Sequence, residues 1–332
     1  MLEHGGNLRM AAQQYAIPLE NWLDLSTGIN PQGWPVPTLP QAVWQRLPEQ
    51  DDGLIAAAAA YYGSPHLLPT AGSQPVIQCL PRLRTTSRVG VLTPSYAEHA
   101  YAWARKGHQL IELQQDSIEA TLPSLDVLII CNPNNPTGIH FSSAQLLAWS
   151  AALAQRDGWL IVDEAFIDAT PELSIAAHAG QPGLVILRSM GKFFGLAGAR
   201  AGAVLAWPTL LQQIEEELGP WAINGPARLI AAQAWQDTAW QEATRQRLSA
   251  DSSRLATLLS RHALYPSGAT PLFQWVSHPE AKTHHQALAR HGIWTRYFDN
   301  PCSIRFGLPG PAPKWRRLET ALRHILHDAR IV

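Results

Sequence analysis

Lys192 lies in Ser189-Met190-Gly191-Lys192-Phe193-Phe194-Gly195-Leu196-Ala197-Gly198-Ala199-Arg200, just after the apolar run Val185-Ile186-Leu187. A strand over that run delivers the lysine to a loop rich in small residues. Ser189 stands three residues before the lysine and Arg200 eight after it. An amine can condense with an aldehyde, while a hydroxyl and a guanidinium can hold a phosphate, so the three suit a phosphorylated carbonyl compound. Gly191-Lys192 is not a nucleotide P-loop: Ile186 occupies the first glycine's place, and Phe193 replaces the Ser/Thr that would bind magnesium. Read alone, Lys192 is equally an ordinary surface lysine beside a turn.

Two further segments favour the chemical reading. Asp163 ends Trp159-Leu160-Ile161-Val162-Asp163, and Asn135 follows Val127-Leu128-Ile129-Ile130 within Asn134-Asn135-Pro136-Thr137-Gly138. A carboxylate there can keep a pyridine nitrogen protonated, and an asparagine can hydrogen-bond a ring oxygen, which suits pyridoxal phosphate. Taken singly, Asp163 also suits a helix cap or an ion pair, and Asn135 suits turn chemistry. Three such residues at three strand ends make coincidence improbable. Gly72, Ser73 and Gln74 precede an apolar helical stretch. Their backbone N–H groups could meet the same phosphate, or simply cap that helix. Arg305 interrupts the strand pattern Ser303-Ile304-Arg305-Phe306. A buried arginine needs a charged partner, and a substrate anion would serve.

The elements that must position these residues follow from pattern. Short apolar runs over 89–92, 127–130, 160–162, 185–187 and 203–206 alternate with helical stretches. That alternation predicts an α/β fold with a mainly parallel sheet covered on both faces. In such sheets ligands bind beyond the C-terminal strand ends, where Asn135, Asp163 and Lys192 all fall. Residues 1–40, rich in Pro and Gly, read as an irregular arm with one helix near 8–15 that joins the small domain. Residues 41–225 read as the large domain. Residues 226–332 read as a connecting helix, or two joined, and a smaller α+β C-terminal lobe; 227–264 contain neither Gly nor Pro. Ser142 or Ser143 can cap the helix that runs towards Arg156.

Composition narrows the function classes. The 332 residues carry 46% hydrophobic content and a net charge of −1, so neither a nucleic-acid stripe nor a polybasic membrane patch is expected. Three separated cysteines, Cys79, Cys131 and Cys302, form no disulfide framework, which points to a reducing compartment, the cytoplasm. The start, Met1 to Gly6, lacks the pattern of a signal peptide, and no apolar run approaches a membrane span. The thirteen histidines are scattered, and His284-His285 is not spaced for one helix face, so no metal site is read.

The order of Asn132-Pro133-Asn134-Asn135-Pro136-Thr137-Gly138, Asp163-Glu164-Ala165-Phe166, Ser189-Met190-Gly191-Lys192 and Arg200 resembles the fold type I pyridoxal phosphate enzymes. Nearly the whole chain is similar to the branch that holds histidinol-phosphate aminotransferases and threonine-phosphate decarboxylases. The opening His4-Gly5-Gly6-Asn7, then Asp24 to Pro31, and Pro220-Trp221-Ala222-Ile223-Asn224 resemble the decarboxylases more. The resemblance implies a cytoplasmic homodimer acting on a small phosphorylated amino acid, L-threonine O-3-phosphate, in cobalamin biosynthesis, with an aminotransferase as the alternative. It implies catalysis by Lys192 and Asp163, and cofactor binding by Gly72, Ser73, Gln74, Tyr96, Asn135, Ser189 and Arg200. Substrate binding is implied for His4, Gly5, Gly28, Asn135, Arg296 and Arg305. Three positions depart from the pattern: Phe166 and Leu47 replace tyrosines, and Gly28 stands where some relatives carry Asn.

Overall fold

The computed structural model describes residues 4–327; residues 1–3 and 328–332, which carry part of the leader reading and the two chain ends, lie outside the described residues. The chain divides into two compact units. One holds Trp34–Asn135 and His140–Glu242; the other holds the described residues up to Gly33, Pro136–Ile139 and those from Ala243 onward.

In chain order the strands begin with β1 (Leu23–Asp24), β2 (Leu67–Thr70), β3 (Arg88–Leu92), β4 (Gln109–Leu113) and β5 (Val127–Cys131). They continue with β6 (Trp159–Asp163), β7 (Leu184–Ser189) and β8 (Gly202–Leu205). The larger unit is built on a seven-stranded sheet of order β2-β8-β7-β6-β5-β3-β4. β8 runs antiparallel to both its neighbours, and the pairings from β7 across to β4 are parallel. Every residue of β5, β6 and β7 is buried, because helices cover both faces of a parallel sheet and leave no polar side. On one face Val127, Ile129, Ile161, Val185 and Leu187 pack with Val76, Ile77, Trp103 and Ile214 from flanking helices. Fully burying one such aliphatic side chain contributes about 1.5–3 kcal/mol.

The smaller unit carries β9 (Gly268–Thr270), β10 (Phe273–Ser277), β11 (Ile293–Trp294), β12 (Arg296–Phe298) and β13 (Ser303–Gly307). Four of these form the antiparallel sheet β12-β13-β10-β9. β11 instead pairs in parallel with β1, matching Leu23 to Ile293. The amino-terminal segment therefore contributes a strand as well as the helix Leu8–Tyr15. Trp22 meets Tyr15 and Trp294 edge-on, with ring centroids 6.0 and 5.9 Å away. The long helical stretch is two helices, Gly225–Gln236 and Thr238–Arg261. Asp237 breaks it: its carboxylate accepts bonds from the Trp34 indole at 2.9 Å and the Trp240 N–H at 3.0 Å. Ser142 caps the helix Ser143–Ala154 in a reciprocal box with Gln145. Among the described residues, no helix is long and apolar enough to cross a membrane.

Gly202 shows how tightly the strand ends are packed. It pairs with Thr70 on one side and Ser189 on the other. A β-carbon there would press into the Arg188 carbonyl oxygen and stand 3.1 Å from the Gly72 α-carbon. Gly202→Ala is therefore expected to destabilise the protein by about 1–3 kcal/mol, as overpacking does. A lowered urea midpoint checks this; an unchanged midpoint contradicts it.

Candidate active site

Asp163 ends β6, beside Cys131 on β5 and Leu187 on β7. It is 4% exposed, so its charge must be met by hydrogen bonds. The Ala165 N–H donates to Oδ1 at 3.0 Å, and Oδ2 lies 2.9 Å from His99 Nε2. His99 is also buried, on the helix Ala97–Ala104. Burial opposes a charge on its imidazole, but the hydrogen bonds to Asp163 and Cys131 outweigh it and push the pKa up to about 10. The raised pKa favours the protonated imidazole of His99 beside Asp163.

Tyr96 stands just before that helix, and its ring meets the His99 ring edge-on at 6.0 Å. Its hydroxyl donates to Gln74 Oε1 at 3.3 Å, and Gln74 Nε2 donates to Glu98 at 2.8 Å. Burial, with Asp163 and Glu98 nearby, raises the phenol's pKa, so it stays protonated. The Tyr96 and Gln74 segments are joined directly.

Lys192 lies three residues beyond the end of β7 and is half-buried. Its Nζ stands 5.3 Å from the centre of the Phe166 ring, within range of a cation–π attraction. Phe166 follows Asp163 by three residues, so the carboxylate's strand also supplies a wall for the lysine. Phe166 lacks the hydroxyl that tyrosine would bring.

Arg200 lies against Gly72, and Ser189 pairs with Gly202, which Gly72 also approaches. A β-carbon on Gly72 would stand 3.0 Å from Arg200 Nη2, and one on Gly191 would stand 3.5 Å from Ser189 Oγ. Arg200 adopts a left-handed conformation, φ 55°, and donates to the Ala197 carbonyl at 3.1 Å. Ser73 and Gln74 open the helix Gln74–Cys79 just beyond Gly72. A hydroxyl, a guanidinium and backbone beside a bare glycine make a donor set that fits a phosphate group.

The Asn-rich loop divides its labour. Asn132 exchanges bonds with the Phe141 backbone at 2.8 and 3.3 Å. Asn134 accepts from Ser95 Oγ at 2.7 Å and donates to the Pro94 carbonyl at 2.9 Å. Both are buried, whereas Asn135 is half-exposed.

The smaller unit gathers the other expected residues. Arg305, 4% exposed, lies in mid-strand β13 and faces Arg296 of β12 in register. Like charges directly opposite destabilise a sheet. Burial and the Arg296 charge both lower the Arg305 pKa, against the pull of Asp24. Arg305 Nη2 donates to the Ser26 carbonyl at 2.5 Å, and its guanidinium lies 5.1 Å from the Phe273 ring centre. Ser26 Oγ accepts from the Gly6 N–H at 2.7 Å and donates to Asp24 at 2.6 Å. A β-carbon on Gly5 would strike the Ser26 carbonyl, so only glycine lets this strap lie flat. His4 is exposed. Gly28 has φ 61°, a left-handed conformation that Gly and Asn tolerate best, which accounts for the exchange of those two residues there.

His99 is the residue that sequence reasoning missed. A single histidine gives no pattern, and the available signal was its position one helical turn after Tyr96.

The sequence profile described as "Aminotransferase class I and II" matches residues 20–324. A threonine-phosphate decarboxylase of Pseudomonas aeruginosa is 55% identical over 322 residues, 97% of each chain. Another, from a Sinorhizobium species, is 41% identical over 96% of this chain and 97% of that one. The crystal structure of histidinol-phosphate aminotransferase from Sinorhizobium meliloti in complex with pyridoxal-5'-phosphate superposes with a TM-score of 0.79 at 21% identity. It covers 99% of this chain and 96% of that one, and shows the shared fold.

The pair of His99 and Asp163 makes stability depend on pH. A histidine whose pKa rises on folding stabilises fully below its unfolded value, near 6.5, and loses that contribution as pH rises towards about 10. Thermal melts of the wild type should therefore fall relative to those of His99→Gln between those values, with a slope of up to about 1.4 kcal/mol per pH unit. Parallel curves would contradict the charged pair.

Proposed function

This chain belongs to the class I and II aminotransferase family, and on that premise we propose that it is a pyridoxal-phosphate-dependent decarboxylase. Its substrate is L-threonine O-3-phosphate, and its products are (R)-1-amino-2-propanol O-2-phosphate and carbon dioxide, a step in cobalamin biosynthesis. The observation that carries this reading is 55% identity to a threonine-phosphate decarboxylase over nearly all of both chains. Supporting this reading are the lysine beside Phe166, the buried carboxylate bonded to His99 and the guanidinium lying against Gly72.

When bound, the cofactor supplies an electron sink for the bond broken at the substrate's α-carbon. Lys192 would hold the cofactor through its amine and would move protons at the substrate's α-carbon. Asp163, hydrogen-bonded to His99, would favour the protonated form of the cofactor's pyridine nitrogen. Ser189, Arg200 and the N–H groups of Gly72, Ser73 and Gln74 would bind the cofactor phosphate. Tyr96 would pack on the ring, and Asn135 would donate to its oxygen, a task Phe166 cannot share. Arg305 and Arg296 bind the substrate's phosphate and carboxylate, with His4, Gly5 and Gly28 lining the same anions. A substrate with two anionic groups relieves the repulsion between facing arginines. The way these residues anchor the substrate would select loss of carbon dioxide over loss of the α-hydrogen.

The proposal extends to a cytoplasmic homodimer. Trp44, Leu47, Ile55 and Trp221 are exposed apolar side chains on the larger unit, a feature of association surfaces. Ile55 and Trp221 line one groove of about 580 Å³. The three cysteines are free thiols, as a reducing compartment favours.

Purified protein loaded with pyridoxal phosphate should release carbon dioxide and aminopropanol phosphate from L-threonine O-3-phosphate, and Lys192→Ala should abolish both. Amino transfer from histidinol phosphate to 2-oxoglutarate without carbon dioxide would hand the case to an aminotransferase. Arg305→Met should raise KM roughly 10- to 100-fold, since a hydrogen bond to a charged group contributes about 1.5–3 kcal/mol. Trp221→Glu should shift the mass measured by light scattering from dimer to monomer; an unchanged dimer would exclude that surface.

A further inference from the structure

Next to Ser189 in the chain, Arg188 centres a buried charge network that the proposed chemistry does not use. Arg188, on β7, is 3% exposed and is the residue before Ser189. Its Nη1 donates to Glu164 Oε2 at 2.8 Å and to Ser174 Oγ at 3.0 Å; its Nη2 donates to Asp168 Oδ1. Glu164 also accepts from Ser174 Oγ at 2.6 Å and from the Ile175 N–H at 2.9 Å. Asp168 further accepts from the Tyr61 hydroxyl at 3.0 Å, and the guanidinium lies 4.5 Å from the Tyr62 ring centre.

All three groups that Arg188 grips lie between residues 164 and 174, on the segment that leaves Asp163. That segment has little regular structure of its own, only short 3₁₀ turns at Ile167–Ala169 and Pro171–Leu173. It carries Phe166, the ring against Lys192. The ladder from β6 to β7 continues only one step past Asp163, through the Glu164 N–H to the Leu187 carbonyl at 2.9 Å. Beyond that step, the Arg188 guanidinium ties the Asp163 segment to the strand that presents Ser189 and Lys192. A buried ion network adds little net stability compared with an apolar replacement. What it adds is fixed geometry, because a planar guanidinium satisfies two carboxylates only in one arrangement.

We propose that Arg188 is a positioning residue for the cofactor: through Glu164 and Asp168 it sets Asp163 and Phe166 in register with Ser189 and Lys192. This rests on the pyridoxal phosphate reading above. Arg188→Met alone would leave two buried carboxylates unmatched and could unfold the protein. The informative variant is therefore the charge-free triple Arg188→Met, Glu164→Gln, Asp168→Asn, with Arg188→Lys beside it.

Each protein is titrated with pyridoxal phosphate. The readouts are the dissociation constant, the visible band of the Lys192-linked cofactor and the pH at which that band titrates. We expect the triple variant to keep a cooperative thermal melt but to bind about 10-fold or more weakly, as when an outer-shell partner is removed, with a displaced titration midpoint. Arg188→Lys should fall between the triple variant and wild type. A folded triple variant with wild-type affinity and band would overturn the proposal. Should the triple not fold, Arg188→Lys decides alone: wild-type affinity and midpoint would overturn the proposal. A wild-type protein that forms no Lys192-dependent band would instead remove the cofactor reading itself.

Discussion

A carboxylate buried without water must be matched by its surroundings, and Asp163 imposes that demand on the larger unit. It ends a strand whose residues are all buried, so bulk solvent cannot stabilise its charge. His99 supplies the counter-charge and the Ala165 N–H a second bond. The helix bearing His99 is thereby fixed against the strand ends, and Tyr96, at that helix's start, is fixed with it. The next acidic residue, Glu164, is buried as well and is met by Arg188 from the neighbouring strand. Two consecutive carboxylates thus recruit two different cations, one from a helix and one from the sheet. The Asp163 carboxyl group is thereby fixed in one orientation, by His99 on one oxygen and the Ala165 N–H on the other.

Much of this was legible in the sequence. Apolar runs longer than alternation allows marked β5, β6 and β7; of the candidate residues, Asp163 ends its strand and Asn135 and Lys192 follow theirs within four residues. β2 was illegible because Pro69 reads as a breaker; the strand lies at the sheet's edge, where a missing N–H is tolerated. β1 was hidden for a related reason: two residues amid prolines and glycines have no periodicity, and only β11 makes them a strand. The division at Asp237 carried no Gly or Pro signal, since a side chain accepting from Trp34 and Trp240 does the work. His99 and Arg188 look like any histidine or arginine until the fold gives them partners.

The two arginines of the smaller unit illustrate the same point from the opposite direction. A charge in the middle of a buried strand was visible in the sequence as a break in pattern, and Arg305 is indeed buried. That Arg296 faces it across the ladder was not visible, because register depends on pairing rather than on local sequence. On the proposed reading, an occupant with two negative groups offsets the repulsion between these facing cations. Threonine phosphate carries a phosphate and a carboxylate on adjacent carbons, and histidinol phosphate carries only the phosphate.

Which bond breaks at the α-carbon is decided by mixing the pyridoxal-phosphate-loaded protein with L-threonine O-3-phosphate in the absence of any 2-oxo acid. Carbon dioxide and the chemical form of the cofactor are then followed over repeated turnovers. The account predicts continuing release of carbon dioxide with the cofactor recovered as the aldehyde. Conversion of the cofactor to its amine in a single turnover, with a 2-oxo acid formed and no carbon dioxide, would contradict it.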